Sequence, residues 1–222
     1  MRSMFGRVAH RYDFANHVLS FQIDRLWRGR LVQLVAPVLH RKQARVLDLC
    51  CGTGDLTAAL SRARGLPVMG SDFCHPMLQA AARKDKKTPL VESDGLHLPF
   101  ADASLDLLTI AFGFRNFANY EAGLLELRRV LRTGGMLAIL EFSRPPNAAI
   151  RTVYEWYAGR VLPLIGGAIS GSRDAYEYLP SSVRKFPDSD VLASMMTTAG
   201  FTGVRFERHT FGVVSIHIGE VS

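Results

Sequence analysis

Three carboxylates stand at points where short apolar runs end. Asp48 lies within residues 46–49, Asp72 closes residues 67–72, and Asp94 follows a third run. If these runs are parallel strands, their carboxyl ends meet at one edge of a sheet, which is where open α/β sheets bind ligands. A single acid of this kind is more commonly a solvated loop residue. Three in succession predict one acid-rimmed pocket.

A glycine turn follows the first acid and leads into an amphipathic stretch, which predicts strand, loop and helix. Gly52 and Gly54 have no Cβ, so the backbone there can approach a ligand closely. A dinucleotide-binding turn would carry a third glycine where Thr57 stands, and Asp48 and Asp55 would repel a pyrophosphate. S-adenosylmethionine, whose ammonium and sulfonium groups are positive, suits two carboxylates better. An ordinary strand-to-helix turn without a ligand is the alternative for the loop taken alone.

The other two acids suit the nucleoside part of such a ligand. An acid at the end of a second strand can accept hydrogen bonds from both ribose hydroxyls, which we expect of Asp72. Asp94 follows a third short strand, where an acceptor can meet the adenine amino group. The spacing therefore predicts that Asp72 binds the two ribose hydroxyls and Asp94 the adenine amino group of one nucleoside.

Strand and helix patterns alternate through the middle of the chain. The sequence predicts strands at 45–49, 67–71, 89–92, 105–111 and 136–142, and helices at 55–64, 75–86 and 120–132. This alternation indicates a parallel, doubly wound sheet. Gly134 and Gly135 predict a turn before the fifth strand. Residues 203–208 and 213–219 are predicted to close the sheet as an antiparallel pair.

Two segments outside this core are candidates for covers. Residues 1–40 have apolar positions at helical spacing, which favours either a lid over the cofactor or a helical layer packed on the sheet. Residues 144–190 combine an aromatic, apolar stretch with glycines and serines, which favours a mobile cover over an apolar ligand. Core packing is the alternative for any single residue there. We expect one domain over 1–222, with a cofactor-binding core at 41–143 and closing strands at 191–222.

Composition favours a globular α/β protein. The chain has 222 residues, 48% of them hydrophobic, and no run near the roughly 20 apolar residues of a membrane-spanning helix. Its N-terminus lacks the apolar stretch of a secretory signal, and its three cysteines form no disulfide framework, so we expect a cytoplasmic protein with reduced thiols. No Cys/His spacing resembles a zinc site.

The charge of the chain leaves its partner open. A net charge of +7 favours an acidic partner, either nucleic acid or an anionic membrane, and is equally compatible with simple solubility. The densest basic cluster, residues 83–87, is typical of the solvated end of a helix.

Several strings in the chain together resemble one family. They are residues 12–16, residues 19–27, the glycine loop at 47–57, Phe-Gly-Phe-Arg-Asn-Phe at 112–117 and residues 129–145. Taken together they resemble the ubiquinone/menaquinone biosynthesis C-methyltransferases, from about Phe5 to the last predicted strand. The glycine loop is generic to class I methyltransferases, whereas the F-G-x-R-N and L-E-F-S-x-P strings are more specific.

The resemblance implies a fold and an activity. The fold is that of a Rossmann-like class I S-adenosylmethionine-dependent methyltransferase, with a mostly parallel seven-stranded sheet and an antiparallel last strand. The activity is methylation of a ring carbon in a prenylated quinol, usually 2-demethylmenaquinol in bacteria that make menaquinone. Residues 144–190 would then hold the prenyl tail, and the basic surface would suit peripheral contact with the anionic inner face of the cell membrane. We expect no metal and no nucleic acid, and leave a homodimer open.

The resemblance also assigns residues to the cofactor. Thr53 matches a loop threonine, Asp72 matches the ribose acid, and Asp94 with Gly95 matches an Asn-Ala pair at the adenine. The family often has a cofactor-contacting serine where this chain has Ala111, so that contact is lost or made by the backbone. The full set assigned to the cofactor is Asp48, Gly52, Thr53, Gly54, Asp72, Phe73, Asp94, Gly95 and Ala111.

Arg115 is the leading candidate for chemistry at the ring. A quinol ring becomes nucleophilic when a hydroxyl loses its proton, and a guanidinium can stabilise the phenolate or position a water that takes the proton. Its pKa is too high for Arg115 to be a free base. Asn116 and Tyr12 are expected to orient the ring hydroxyls. Asp13 and His209 are candidate bases, although a lone histidine is more often structural. The predicted catalytic set is Arg115, Asn116, Tyr12 and Asp13.

Two aromatic side chains follow the fourth predicted strand. Phe112 and Phe114 are candidates for a cation–π contact with the sulfonium. Aromatic residues at strand ends more often pack in the core, which is the alternative for both.

Three other functions compete with the quinol methyltransferase. The first is another methyltransferase of this fold, acting on the benzoquinol of the ubiquinone pathway, another small lipophilic phenol, a sterol or a phospholipid headgroup. The second is a nucleic-acid methyltransferase, which the basic charge would suit, although no base-flipping motif follows the fourth strand. The third is a nucleotide-binding protein without activity, against which Asp48, Thr53, Asp72 and Arg115 argue together.

Overall fold

The computed structural model of the chain describes residues 20, 22–161 and 180–222. Its α-helices include α1 (Ile23–Leu39), α2 (Asp55–Arg64), α3 (His75–Lys84), α4 (Tyr120–Val130), α5 (Ala148–Trp156) and α6 (Ser189–Thr198). Its strands are β1 (Val46–Leu49), β2 (Met69–Asp72), β3 (Leu90–Glu92), β4 (Leu105–Ala111), β5 (Leu131–Phe142), β6 (Phe201–His209) and β7 (Val214–Val221). Two 3₁₀ turns (Phe114–Asn116, Thr210–Gly212), a π-helical turn (Tyr157–Val161) and helical residues 180–185 are also present.

The strands form one seven-stranded sheet in the order β3-β2-β1-β4-β5-β7-β6. β1 to β5 run parallel, β7 runs antiparallel to β5, and β6 pairs antiparallel with β7. The predicted Rossmann-like sheet and its closing antiparallel pair are therefore confirmed. The chain extends from β1 to β2 on one side and later returns to β4 on the other. The ends of β1 and β4 are thus the switch point, where open α/β sheets bind ligands.

Alternating residues of β1 divide between two hydrophobic cores. Leu47 and Leu49 join the core beneath α4 and α6, and Val46 joins the core beneath α1 and α2. Asp48 shares the face of Val46, so its carboxylate turns toward α2. The topology thereby brings the predicted site acid under the start of a helix.

The described part of the N-terminal segment is a helical layer on the sheet. Trp27, Leu31 and Val35 of α1 are buried against strands β4 and β5 and helix α2. This is the second of the two roles that the sequence left open for residues 1–40. Residues 1–19 and 21 lie outside the described residues, as do residues 162–179 of the expected substrate cover.

Several element boundaries differ from the predicted ones by one or more residues, and the start of β5 differs most. β5 starts at Leu131, not at position 136, and α4 ends directly before it. Residues 132–135 bulge out of the pairing with β4, and Gly134 there has a φ of +73°. The predicted glycine turn is therefore a bulge inside β5. α3 ends at Lys84 because the Asp85 carboxylate accepts hydrogen bonds from two later residues and starts a turn.

Two expectations from composition concern the helices and cysteines that the structure describes. None of the described helices is long and apolar enough to cross a membrane. Within the described residues, Cys50, Cys51 and Cys74 are not joined by disulfide bonds.

Two non-glycine residues adopt left-handed backbone angles directly after β1 and β4. Cys50 has a φ of 57° and Phe112 a φ of 58°. The two strand ends touch at Gly113, where an added Cβ would lie 2.2 Å from the Cβ of Cys50. Only glycine fits at this position without moving the turn after β1. Strained residues of this kind cluster at functional sites because the surrounding structure must hold them in place.

We expect Gly113→Ala to destabilise the protein by about 1–3 kcal/mol, because the new methyl group collides with Cys50. Replacing Cys50 by glycine removes that collision and suits the left-handed backbone. The double variant should therefore recover most of the lost free energy of unfolding, measured by denaturant titration.

Gly29→Ala is the matched control for this experiment. Gly29 lies inside α1 with no atom within 4 Å of its added Cβ, so alanine should stabilise the helix by about 0.5–1 kcal/mol. A Gly113→Ala variant as stable as the wild type would contradict the packing described for the two strand ends.

Candidate active site

The glycine loop joins β1 to α2 and is held from behind. Cys51 donates its backbone N–H to Ser71 of β2 at 2.9 Å. Gly52 and Gly54 have φ values of +56° and +88°, which glycine adopts without strain. No atom lies within 4 Å of a Cβ built at Gly52, whereas Gly54 packs on Ala81 of α3. The loop is therefore anchored on one side and open over Gly52.

Asp48 lies beneath this loop and is 1% exposed. One carboxylate oxygen accepts the Thr57 hydroxyl of α2 at 2.5 Å, and the other accepts the Thr109 hydroxyl of β4 at 2.9 Å. Burial raises the pKa of Asp48 to about 7, although both hydroxyls oppose this change. Asp48 thus ties two strands and a helix together at the loop. A direct contact with the cofactor stays a prediction.

Asp72 closes β2 and is 6% exposed. Its carboxylate accepts the backbone N–H of Gly52 at 2.9 Å and that of Cys74 at 2.9 Å. Burial raises its pKa, and the backbone N–H groups of Cys74, Gly52 and Phe73 act in the opposite direction. A carboxylate has about four lone-pair sites, so Asp72 can accept ribose hydroxyls in addition to these amides. Phe73, the next predicted residue, is half-buried beside it.

Asp94 and Gly95 follow β3 at the same edge of the sheet. Asp94 is exposed and its carboxylate accepts the Leu96 N–H at 3.0 Å. An added Cβ at Gly95 would lie 2.3 Å from the Phe117 ring, so no side chain fits there. Gly95 thus lets the loop after β3 pack on the segment after β4. Since β1, β2 and β3 are neighbours, the three predicted acids end adjacent strands at one edge.

Thr53 is buried and receives a hydrogen bond that the sequence does not suggest. Lys84, the last residue of α3, donates from Nζ to the Thr53 hydroxyl at 3.1 Å and to Asp55 at 3.0 Å. Lys84 is exposed at the end of α3, as expected for residues 83–87, and it makes these two contacts in addition. No local pattern could have found this contact, because it depends on how α3 packs beside α2.

An aromatic cluster lines the end of β4. Phe112 lies 4.8 Å from Phe142 and 6.1 Å from Trp27, measured between ring centroids. Phe114 is fully buried against Phe117 and Tyr120, so its role is core packing and not a cation–π contact with the cofactor. The guanidinium of Arg28 already stands 5.6 Å from the Phe112 ring centroid. Ala111, at the end of β4, is half-buried.

Arg115 forms a buried ion pair with Glu141. Its Nη1 donates to Glu141 Oε1 at 2.8 Å and to the Phe112 carbonyl, and its backbone N–H donates to Glu141 Oε2 at 3.2 Å. The side chains are 5% and 0% exposed. The guanidinium also lies over Phe142, 5.5 Å from the ring centroid. Arg115 is therefore held in one orientation from three sides.

Two residues around this pair were missed by the sequence reasoning. Glu141 is a lone acid at the end of an apolar strand, the same signal that singled out Asp48 and Asp72, and the signal could have found it. Tyr154 of α5 was placed only in an apolar stretch. Burial raises the pKa of Tyr154 to about 12; the charge of Arg115 lowers it and that of Glu141 raises it. Its hydroxyl is thus within electrostatic reach of the pair.

Of the four remaining candidates, Asn116 and His209 lie within the described residues and Tyr12 and Asp13 do not. Asn116 is half-buried in the 3₁₀ turn Phe114–Asn116, next to Arg115. His209 ends β6, and its Nε2 lies 3.5 Å from Glu207 of the same strand. Tyr12 and Asp13 lie outside the described residues. Across residues 22–161 and 180–222, no group of three His, Cys, Asp or Glu side chains is arranged to hold a metal ion.

Comparison with known proteins decides the family. The model of the ubiE/COQ5 methyltransferase family matches residues 1–221. The chain belongs to this family. A demethylmenaquinone methyltransferase of Thermus thermophilus is 51% identical over 98% of this chain and 99% of its own length. One of Deinococcus radiodurans is 43% identical over 99% of this chain and 92% of its own length.

Solved structures show the same fold. An S-adenosylmethionine-dependent methyltransferase of Thermotoga maritima, described as a possible histamine N-methyltransferase, covers 100% of both chains with a TM-score of 0.70 and 19% identity. At this identity the likeness shows the fold alone. Membership of the ubiE/COQ5 family makes the chain a methyltransferase that uses S-adenosylmethionine, as its resemblance to the quinone C-methyltransferases implies.

The residues at the switch point suit this cofactor. The space over Gly52 leaves room for a ligand against bare backbone. Asp72 is a buried acceptor at the end of the second strand, where a ribose acid is expected. The carboxylates of Asp48 and Asp55 flank the loop and favour a positively charged sulfonium and ammonium. The cofactor roles of the individual residues stay predictions.

We expect Asp48→Asn to remove a pH dependence from the stability of the protein. Burial raises the pKa of Asp48 to about 7 in the folded state, against about 3.9 in the unfolded chain. Between about pH 4 and pH 7 the folded state therefore binds a proton that the unfolded state has lost. The free energy of unfolding falls as the pH rises through this window, because the slope follows the difference in bound protons.

Denaturant titration at about pH 4.5 and about pH 7.5 measures this effect. The wild type should lose on the order of 1–3 kcal/mol more than Asp48→Asn over that range. Parallel stability curves for the two proteins would show that Asp48 does not titrate as described.

Proposed function

We propose that the protein transfers a methyl group from S-adenosylmethionine to a ring carbon of a prenylated quinol, with 2-demethylmenaquinol as substrate and menaquinol as product. The observation that supports this most is the buried ion pair of Arg115 and Glu141, which fixes a guanidinium at the end of β4, beside the glycine loop of β1. The relatives named demethylmenaquinone methyltransferase favour a naphthoquinol over a benzoquinol.

The reaction requires an electron-rich ring carbon. S-adenosylmethionine supplies a methyl group that its sulfonium charge has already activated. Arg115 provides a positive charge where the quinol hydroxyl loses its proton, and stabilises the phenolate or holds the water that takes the proton. Because a guanidinium stays protonated at physiological pH, Arg115 is not itself the base.

Glu141 prepares Arg115 for this role. Its carboxylate holds both Nη1 and the backbone N–H of Arg115, and also accepts the Phe142 N–H at 2.8 Å. The guanidinium therefore needs no reorganisation when charge develops on the quinol oxygen, which is the condition under which such stabilisation is largest. Tyr154 adds a hydroxyl on the α5 side of the same pair.

The surface next to α5 suits an amphiphilic substrate. Val153 and Trp156 are 66% and 57% exposed. A cleft beside them is lined by Arg144, Pro145, Arg151, Tyr154, Glu155, Ala158, Pro180, Val183 and Arg184. Exposed apolar side chains can enter the acyl boundary of a bilayer while arginines attract lipid phosphates. Together with the net charge of +7, this supports a cytoplasmic enzyme that docks peripherally on the inner face of the cell membrane.

The proposal also assigns substrate contacts to residues in and next to the segments that the structure does not describe. We assign Tyr12 and Asp13 to the ring hydroxyls, together with Asn116. Residues 144–190 would cover the prenyl tail within a single methyltransferase domain.

The test is methyl transfer from labelled S-adenosylmethionine. We expect label on the ring of reduced demethylmenaquinone and none on the oxidised quinone, because only the quinol can form the phenolate. Parallel reactions contain a demethylated benzoquinol, RNA and phospholipid vesicles. Label on one of these and not on the naphthoquinol would overturn the proposal.

Arg115→Gln and Arg205→Gln form a matched pair of variants for this assay. The first should reduce transfer by at least about 10²-fold, because it removes the charge that stabilises the phenolate. The second changes an exposed arginine on β6 and should leave the rate within about twofold. Equal rates in the two variants would remove Arg115 from the reaction.

A further inference from the structure

The cofactor brings a negative charge into an acidic site. The methionine end of S-adenosylmethionine carries an ammonium group and a carboxylate. Asp48, Asp55 and Asp72 suit the ammonium and the sulfonium, but they repel the carboxylate at short range. A cation close to the glycine loop would offset this repulsion when the whole molecule binds at this edge.

Arg28 of α1 stands at the switch point between β1 and β4. Its guanidinium lies 5.6 Å from the centroid of the Phe112 ring, which follows β4. Its Nη2 lies 4.0 Å from Oδ2 of Asp55, which starts α2 after the glycine loop. Its charge also lowers the pKa of Asp48. Arg28 thus reaches both sides of the place where a doubly wound sheet binds its ligand.

The surroundings of Arg28 fix its position and leave it accessible. Its Nη1 pairs with Asp24, one turn earlier on α1, and Asp24 in turn accepts the Ser20 hydroxyl at 2.6 Å. The Arg28 side chain keeps 15% of its surface exposed, against 5% for Asp24. A guanidinium has five N–H donors in a planar fork, so it can bind a second carboxylate alongside Asp24.

Two other cations near this edge, among the residues that the structure describes, are paired with other groups. Lys84 bonds to Thr53 and Asp55 from the α3 side of the loop. Arg115 is paired with Glu141 on the β5 side. Neither stands between the ends of β1 and β4, as Arg28 does.

We propose that Arg28 binds the carboxylate at the methionine end of S-adenosylmethionine. This inference rests on the cofactor and does not depend on the quinol as substrate. The alternative is that Arg28 only ties α1 to α2 through Asp55, in which case its loss would affect the whole pocket and not one end of the ligand.

Calorimetry with two ligands separates these roles. S-adenosylhomocysteine carries the amino-acid end, whereas 5′-methylthioadenosine lacks it and keeps the nucleoside. Arg28→Met should weaken binding of S-adenosylhomocysteine by roughly 10–100-fold, the effect of a lost charge-assisted pair. Binding of 5′-methylthioadenosine should stay within about twofold, because its contacts with the nucleoside pocket remain.

Two variants serve as controls, one at another arginine of α1 and one that keeps a positive charge at position 28. Arg25→Met changes an exposed arginine of α1 and should leave both affinities unchanged. Arg28→Lys keeps the charge and should lose less than Arg28→Met. Unchanged S-adenosylhomocysteine affinity in Arg28→Met, or an equal loss for both ligands, would overturn the inference.

These outcomes are independent of the quinol. A wild-type protein that binds S-adenosylhomocysteine but methylates no quinol would refute the proposed substrate and leave the inference intact. If the wild type methylates the quinol but Arg28→Met changes the affinity for both ligands equally, the inference on Arg28 is refuted and the proposed substrate stands.

Discussion

The site depends on one buried carboxylate. Asp48 is sealed between β1, α2 and β4, and each of its oxygens accepts a threonine hydroxyl. A buried acid is costly unless hydrogen bonds satisfy it, and these two bonds offset part of that cost while fixing where α2 starts relative to β4. The glycine loop therefore starts and ends at elements whose relative positions Asp48 fixes. Its bare backbone and the acid of β2 face the switch point as a consequence.

Charge divides the site into two halves. The half around β1 and β2 is acidic, which suits a positively charged methyl donor. The half around β4 and β5 contains the buried Arg115–Glu141 pair, in which the carboxylate fixes the orientation of the guanidinium. Cys50 and Phe112, in left-handed conformations after β1 and β4, lie at the boundary between the halves. The close packing of Cys50 on Gly113 sets how closely the ends of β1 and β4 approach each other.

Local patterns in the sequence predict a large part of this arrangement. Strand and helix alternation gives the sheet, because apolar periodicity reflects burial on one or both faces. Asp72 is recognisable because an acid that ends an apolar run must lie at the edge of the sheet. Lys84 and Arg28 are not recognisable in this way, since their contacts depend on how α1, α2 and α3 pack together. For Phe114 the sequence left core packing and a cation–π contact both open, because nothing in the string F-G-x-R-N distinguishes a buried ring from one that faces the ligand.

A crystal structure of the protein with S-adenosylhomocysteine tests the central claim most directly. The account requires the ribose hydroxyls to lie within hydrogen-bonding distance, about 3 Å, of the Asp72 carboxylate, with the sulfur directed toward the end of β4. A nucleoside bound away from the ends of β1 and β2, or a sulfur turned away from Arg115, would contradict it.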